Sequence, residues 1–143
     1  MPSVYLPNGH RISIIPGGSQ TFNANTEYQP TLISRLLSPN LRMNNRTGYL
    51  CPSAGTMIVS LGFQSASDPG TVTFRVYSRD PPSTSNSLTT PAATATTTPG
   101  GADTFSEAVC PGFAVVQGTK LAFTVEATQA PGLSQMVLTL RYA

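Results

Sequence analysis

The chain has 143 residues, the length of one domain, and 39% of them are apolar, enough to fill a core. Only 10% are charged, against about 25% in an ordinary soluble domain, and Thr, Ser, Ala, 12 Gly and 13 Pro take their place, which excludes a helical protein and favours short strands with many turns. A net charge of +2 with one lysine argues against nucleic acid as a partner, and no 18-residue apolar run is present to span a membrane as a helix.

In chain order, residues 1–46 differ from the remainder. Met1-Pro2-Ser3-Val4 lacks the basic and apolar regions of a signal peptide, so the expectation is a protein made and used without Sec export. Arg11-Ile12-Ser13-Ile14-Ile15 reads as a short strand closed by Pro16-Gly17-Gly18. The stretch 19–30 is polar and irregular, with Phe22 and Tyr28 spaced through it, and 31–37 fits either a strand or one helical turn. Isolated apolar residues without periodicity cannot build their own core, so residues 1–46 are expected to form an extended N-terminal arm, lying on this body or on a neighbour's. The arm carries Arg11, Arg35, Arg42 and Arg46 against Glu27 alone, whereas residues 80–143 carry Lys120 and Arg141 against Asp80, Asp103, Glu107 and Glu126. That asymmetry fits an arm that meets an acidic surface, and fits equally a few scattered solvated arginines.

Residues 47–143 read as a β-sandwich. Between Gly55 and Arg79 two alternating runs place Met57, Val59, Leu61 and Phe63, then Val72, Phe74 and Val76, on one face, with Thr71, Thr73, Arg75 and Tyr77 on the other. The linker Ser65-Ala66-Ser67-Asp68-Pro69-Gly70 makes them a predicted β-hairpin with one buried and one wet face. The Pro/Ser/Thr-rich stretch 79–101 is predicted to hold two short, exposed edge strands, at 88–90 and 93–98, where proline is tolerated. Val109, Phe113, Val115 and Val116 surround Cys110-Pro111-Gly112; Leu121, Phe123 and Val125 then alternate with Lys120, Thr124 and Glu126. The last strand sets Met136, Leu138, Leu140 and Tyr142 against Val137, Thr139 and Arg141 and is expected inside its sheet. About eight strands with turn signals every 8–12 residues predict an all-β, jelly-roll-like antiparallel sandwich.

Chemistry is thinly represented. His10 is the one histidine, and it has no neighbouring carboxylate and nucleophile in sequence to make it a base, so a surface or interface role outweighs a catalytic one. The acids are scattered singly; Glu107 and Glu126, with Asp103 near the first, are the loose candidates for a glycosidase pair, and solvated strand-end acids are the simpler reading. Asp68 and Asp103 lack the Asp-rich loop of a calcium site, Cys51 and Cys110 with one histidine cannot hold zinc, and no phosphate-cradling loop is present. No enzyme activity and no cofactor are expected. A Cys51–Cys110 disulfide is not readable from sequence, and buried thiols fit a reducing cytoplasm.

The series Pro52-Ser53-Ala54-Gly55-Thr56, the following alternating strand, Asp68-Pro69-Gly70, Thr71-Val72-Thr73-Phe74-Arg75-Val76 and the run from Val115 to Val125 together resemble small jelly-roll or β-sandwich structural proteins of tailed bacteriophages, over residues 50–143. The 81–99 stretch departs from that pattern, which usually has a clearer strand pair. The resemblance implies a capsid decoration (cement) protein on the virion surface, made in the host cytoplasm and binding the major capsid protein and other copies of itself, as a trimer or dimer. His10, Arg11, Arg35, Arg42 and Arg46 would then meet acidic capsid residues while Phe22 and Tyr28 fill apolar pockets. The alternative is a receptor-binding head of a fibre or spike, gripping a host-surface glycan or protein; the lack of a stalk-like segment favours cement.

Overall fold

The computed structural model describes residues 10–14, 22–30, 37–38, 41–43 and 48–143, with 10–14 and 37–38 described by their backbone. Among these residues every regular element is a strand: β1 (His10–Ile14), β2 (Gln29–Pro30), β3 (Leu37–Ser38), β4 (Tyr49–Leu50), β5 (Gly55–Ser65), β6 (Val72–Arg79), β7 (Ala93–Thr97), β8 (Ser106–Val109), β9 (Phe113–Val115), β10 (Lys120–Ala127) and β11 (Ser134–Tyr142). Eight of them, β4–β11, fall in the predicted sandwich. One sheet has the order β1-β11-β5-β8, with β9 also paired to β5, and the facing sheet the order β4-β10-β6-β7; β2 and β3 form a small pair of their own. All pairings are antiparallel.

The alternation in the sequence places the core. Met57, Val59, Leu61 and Phe63 of β5 and Met136, Leu138 and Leu140 of β11 point inward from one sheet, and Val72, Phe74, Val76, Leu121, Phe123 and Val125 from the other, all essentially inaccessible to water. Phe74 and Phe123 stack across the β6–β10 pair with centroids 6.2 Å apart. Each fully buried side chain of this kind contributes roughly 1.5–3 kcal/mol through the area it removes from water.

Two local expectations are corrected. The runs 55–65 and 72–79 are strands with the predicted inward faces, yet they are not a hairpin: β5 pairs with β11, β8 and β9, and β6 with β10 and β7. The connection 66–71 carries the chain from one sheet to the other. A hairpin and an arch share the same period of two, because both expose alternate residues to one core. In the 79–101 stretch one strand forms, β7, as the outer neighbour of β6, while 88–90 has no strand structure. As expected, β11 lies inside its sheet, between β1 and β5.

Parts of the described residues of 1–46 pair with strands of the sandwich. β1 is the edge strand beside β11. Tyr28 forms a two-way backbone bridge with Val125, N–H to O at 2.9 and 2.8 Å, and the Asn25 amide donates to the Ala127 carbonyl at 2.7 Å. Tyr28 thus covers the edge of β10 that β4 leaves bare beyond Lys120 and Leu121, which removes an open strand edge that would otherwise invite pairing.

Candidate interaction surface

The two outer faces of the sandwich differ, and the difference starts from side chains. On the β6–β10 sheet the outward residues Ala122 and Thr124 are completely buried and Tyr77 nearly so, at 6% exposure. Met43 and Leu88 pack over Tyr77 and Ala122. The Gln29 side chain clamps Arg42 from both sides, its amide donating to the Arg42 carbonyl at 2.8 Å and its oxygen accepting from the Arg42 amide at 2.9 Å. The Met43 amide donates to the Asn86 carbonyl, and Arg79 holds the same loop through Ser85 and Asn86.

Glu27 is the polar centre of this cover. Its Oε1 accepts from the Tyr77 hydroxyl at 2.8 Å and from the Thr124 hydroxyl, and lies 3.5 Å from the Arg75 guanidinium, which also donates to Glu126 at 3.0 Å. Burial, then the bond and charge of Glu27, push the Tyr77 phenol up to about 12, against a smaller opposing effect of Arg75. For Arg75 burial disfavours the charge, but the bond to Glu126 and the charges of Glu27 and Glu126 outweigh it, so its pKa is raised. The face predicted to be wet is therefore closed by the chain's own N-terminal residues, and every buried side-chain polar atom among the described residues has a partner.

The outer face of the β11–β5–β8 sheet is mixed: Ser60 and Gly62 are buried, Ile58, Gln64, Val137 and Thr139 half-buried, and Glu107, Val109, Gln135 and Arg141 exposed. The register sets Thr139, Ser60 and Val109 in one row and Val137, Gly62 and Glu107 in the next. Small side chains occupy the middle. The Phe105 ring lies across Gly62: a Cβ at this position would sit 2.6 Å from the ring and push it aside. Phe105 and Val109 nevertheless remain 57% and 51% exposed. Glu107 and Arg141, which stands opposite Ile58, are the ionic groups among the described outward side chains of these three strands, and the face between them is neutral. Phe105 and Val109, exposed on a charge-poor sheet face, make it the candidate contact surface among the described residues.

The predicted contact residues do not converge on this face. Phe22 and Tyr28 are each 4% exposed and pack in this chain's own core, with ring centroids 5.0 Å apart and Phe22 edge-on to Phe63 at 6.4 Å. The expectation that they fill a partner's pockets is corrected, for rings that complete one's own core are not free to leave it. Arg42 has an exposed side chain on the covered face. His10 and Arg11 lie in β1, paired in register with Leu140 and Thr139, and their side chains lie outside the description; Arg35 and Arg46 lie outside the described residues altogether.

The loose catalytic candidates also separate: Glu107 is on the outer face of one sheet and Glu126 on that of the other. Asp68 makes an Asx turn, accepting from the Gly70 amide at 2.9 Å. Cys51 and Cys110 are free and buried; burial, with the Asp80 charge for Cys51, pushes both thiols up to about 11. Among the described residues no three His, Cys, Asp or Glu side chains gather as metal ligands. Sequence reasoning missed Phe105 and Val109, because the one lies before its strand and the other faces away from the core.

No known protein family and no curated protein matches the sequence. Solved structures do match the fold. A chain of the cowpea mosaic virus empty virus-like particle aligns with 100% of this chain and 83% of its own, at 15% identity and a TM-score of 0.51. The globular domain of zebrafish complement 1qA aligns over 92% and 95% of the two chains at 17% identity and a TM-score of 0.43, and murine APRIL over 90% and 97% at 8% and 0.42. At such identities the likeness concerns fold alone. The protein is an all-β, jelly-roll-like sandwich.

Proposed function

We propose that this chain is a structural protein of a bacteriophage particle, a decoration (cement) protein that binds the outside of the major capsid shell and stabilises it without catalysis. The observation that carries this reading is the charge-poor outer face of the β11–β5–β8 sheet, on which Phe105 and Val109 stay more than half exposed. The sequence resemblance to phage decoration proteins supplies the partner, and the fold likeness to a chain of a virus-like particle agrees with it. In this reading Val109, Phe105 and Ile58 form the apolar centre of the contact and Glu107 and Arg141 its charged rim, where polar groups set orientation more than affinity. Arg11, paired in register with Thr139 at the β1 edge of the same sheet, brings part of the basic N-terminal segment to the border of that face. Copies of the protein share the load around the shell.

Co-sedimentation with expanded, undecorated capsids tests the proposal. The wild-type chain is expected to bind, and Val109→Asp, at a half-exposed position, to lose at least tenfold in affinity with an unchanged melting temperature. Failure of the wild type to bind capsids while it adsorbs to host cells would overturn the reading in favour of a receptor-binding head. Unchanged capsid binding by Val109→Asp would overturn the assignment of the face.

A further inference from the structure

At the far end of the β11–β5–β8 sheet, where the connections 66–71 and 128–133 meet the turn 101–104, lies a cleft of about 320 Å³, at the small end of the range for ligand sites. Its polar groups come from three segments. Gln64 of β5 and Gln135 of β11 are register partners and stand side by side on the outer face. Asp103 is held over them by its backbone: its amide donates to the Ser65 carbonyl at 2.8 Å and its φ is 54°. A short polar side chain tolerates that left-handed conformation better than most. The two lining serines are turned away, Ser65 donating to the Ser67 carbonyl and Ser134 to the Gly132 carbonyl. Two amides and a carboxylate, none bonded within the described structure, are left facing the cleft.

An apolar wall completes the site. Leu133 lines the cleft with 61% of its surface exposed. Two residues beyond Asp103, outside the cleft, the Phe105 ring lies on Gly62, in the row adjoining Gln64 and Gln135. Planar amide and carboxylate groups offer paired donors and acceptors to vicinal hydroxyls, while Leu133 offers apolar surface to a C–H face. A single carboxylate among amides is too little to hold a metal ion and leaves a cationic ligand only one partner. We infer that this cleft is a binding site for a neutral saccharide unit of hexose size. The assignment does not depend on the capsid reading, since the cleft lies at the loop end of the sheet, beyond the Gly62 row.

Titration of the isotope-labelled full chain with glucose, galactose, mannose and N-acetylglucosamine, followed by NMR amide shifts, tests it. At least one sugar should bind at millimolar concentration and shift the amides of 64–66, 103–105 and 133–135. Asp103→Asn, which keeps the backbone preference, and Gln64→Ala should each weaken that binding by about tenfold, one hydrogen-bonding partner's worth, with native spectra and unaltered capsid co-sedimentation. No shift with any of the four sugars, shifts confined to other residues, or unchanged affinity in the Asp103→Asn, Gln64→Ala double variant would overturn the assignment.

Discussion

Replacing Glu27 by Ala removes the group that ties the N-terminal residues to the β6–β10 sheet. Tyr77 and Thr124, 6% and 0% exposed, would each lose the acceptor for a buried hydroxyl. A buried donor left unsatisfied costs about 1–3 kcal/mol; Tyr77, nearer the rim of the cover, is at the low end because water can reach it. The Arg75 contact adds little, since both side chains are about a quarter exposed and such pairs contribute about 0–1 kcal/mol. The sum is a loss of about 3 kcal/mol, a large part of the roughly 5–15 kcal/mol that a domain has in all. Glu27→Gln keeps an acceptor and loses the charge, so it should cost about 1 kcal/mol. Urea unfolding of both variants measures this, and a double-mutant cycle with Tyr77→Phe should return a coupling of about 1–2 kcal/mol. A loss below about 0.5 kcal/mol for Glu27→Ala, or equal losses for Ala and Gln, would refute the assignment of Glu27 as the polar clamp.

Phe22→Ala tests the same docking from the core side: removing a ring packed on Tyr28 and Phe63 should cost about 3–5 kcal/mol in urea unfolding, whereas a loosely attached arm would show almost none. Stability should fall in alkali. The thiols of Cys51 and Cys110 and the Tyr77 phenol all have folded pKa values above their ordinary ones, so the native state holds these protons more firmly and their contribution is complete below about pH 9. It is lost for the thiols as pH rises from 9 towards 11 and for Tyr77 between 10 and about 12; Cys51→Ala, Cys110→Ala and Tyr77→Phe should each flatten their part of a stability-versus-pH curve. A curve unchanged by all three would contradict the burial of these groups.

The strands were largely legible because their signal is local. Met57 to Phe63, Val72 to Val76, Leu121 to Val125 and Met136 to Leu140 alternate strictly, and each lies in the core with the predicted face inward. The outer face of the β11–β5–β8 sheet was less legible. Ser60, Gly62 and Thr139 are ordinary outward residues in sequence, and their shared surface arises from pairing between strands far apart in the chain. Glu27 was visible only as one acid among arginines, since its partners Arg75, Tyr77 and Thr124 lie 48, 50 and 97 residues away.

Composition and the period of two determined by themselves that this is an all-β sandwich and which residues fill it, because burying alternate side chains is a demand each strand makes locally. Tertiary structure decided which strands are neighbours. It turned the predicted hairpin of 55–79 into an arch between two sheets, since inward-facing alternation looks the same from either side of the core. It also placed Phe22 and Tyr28 inside this chain's own body, because the open edge of β10 and the space beside Phe63 gave them a partner that sequence order does not reveal.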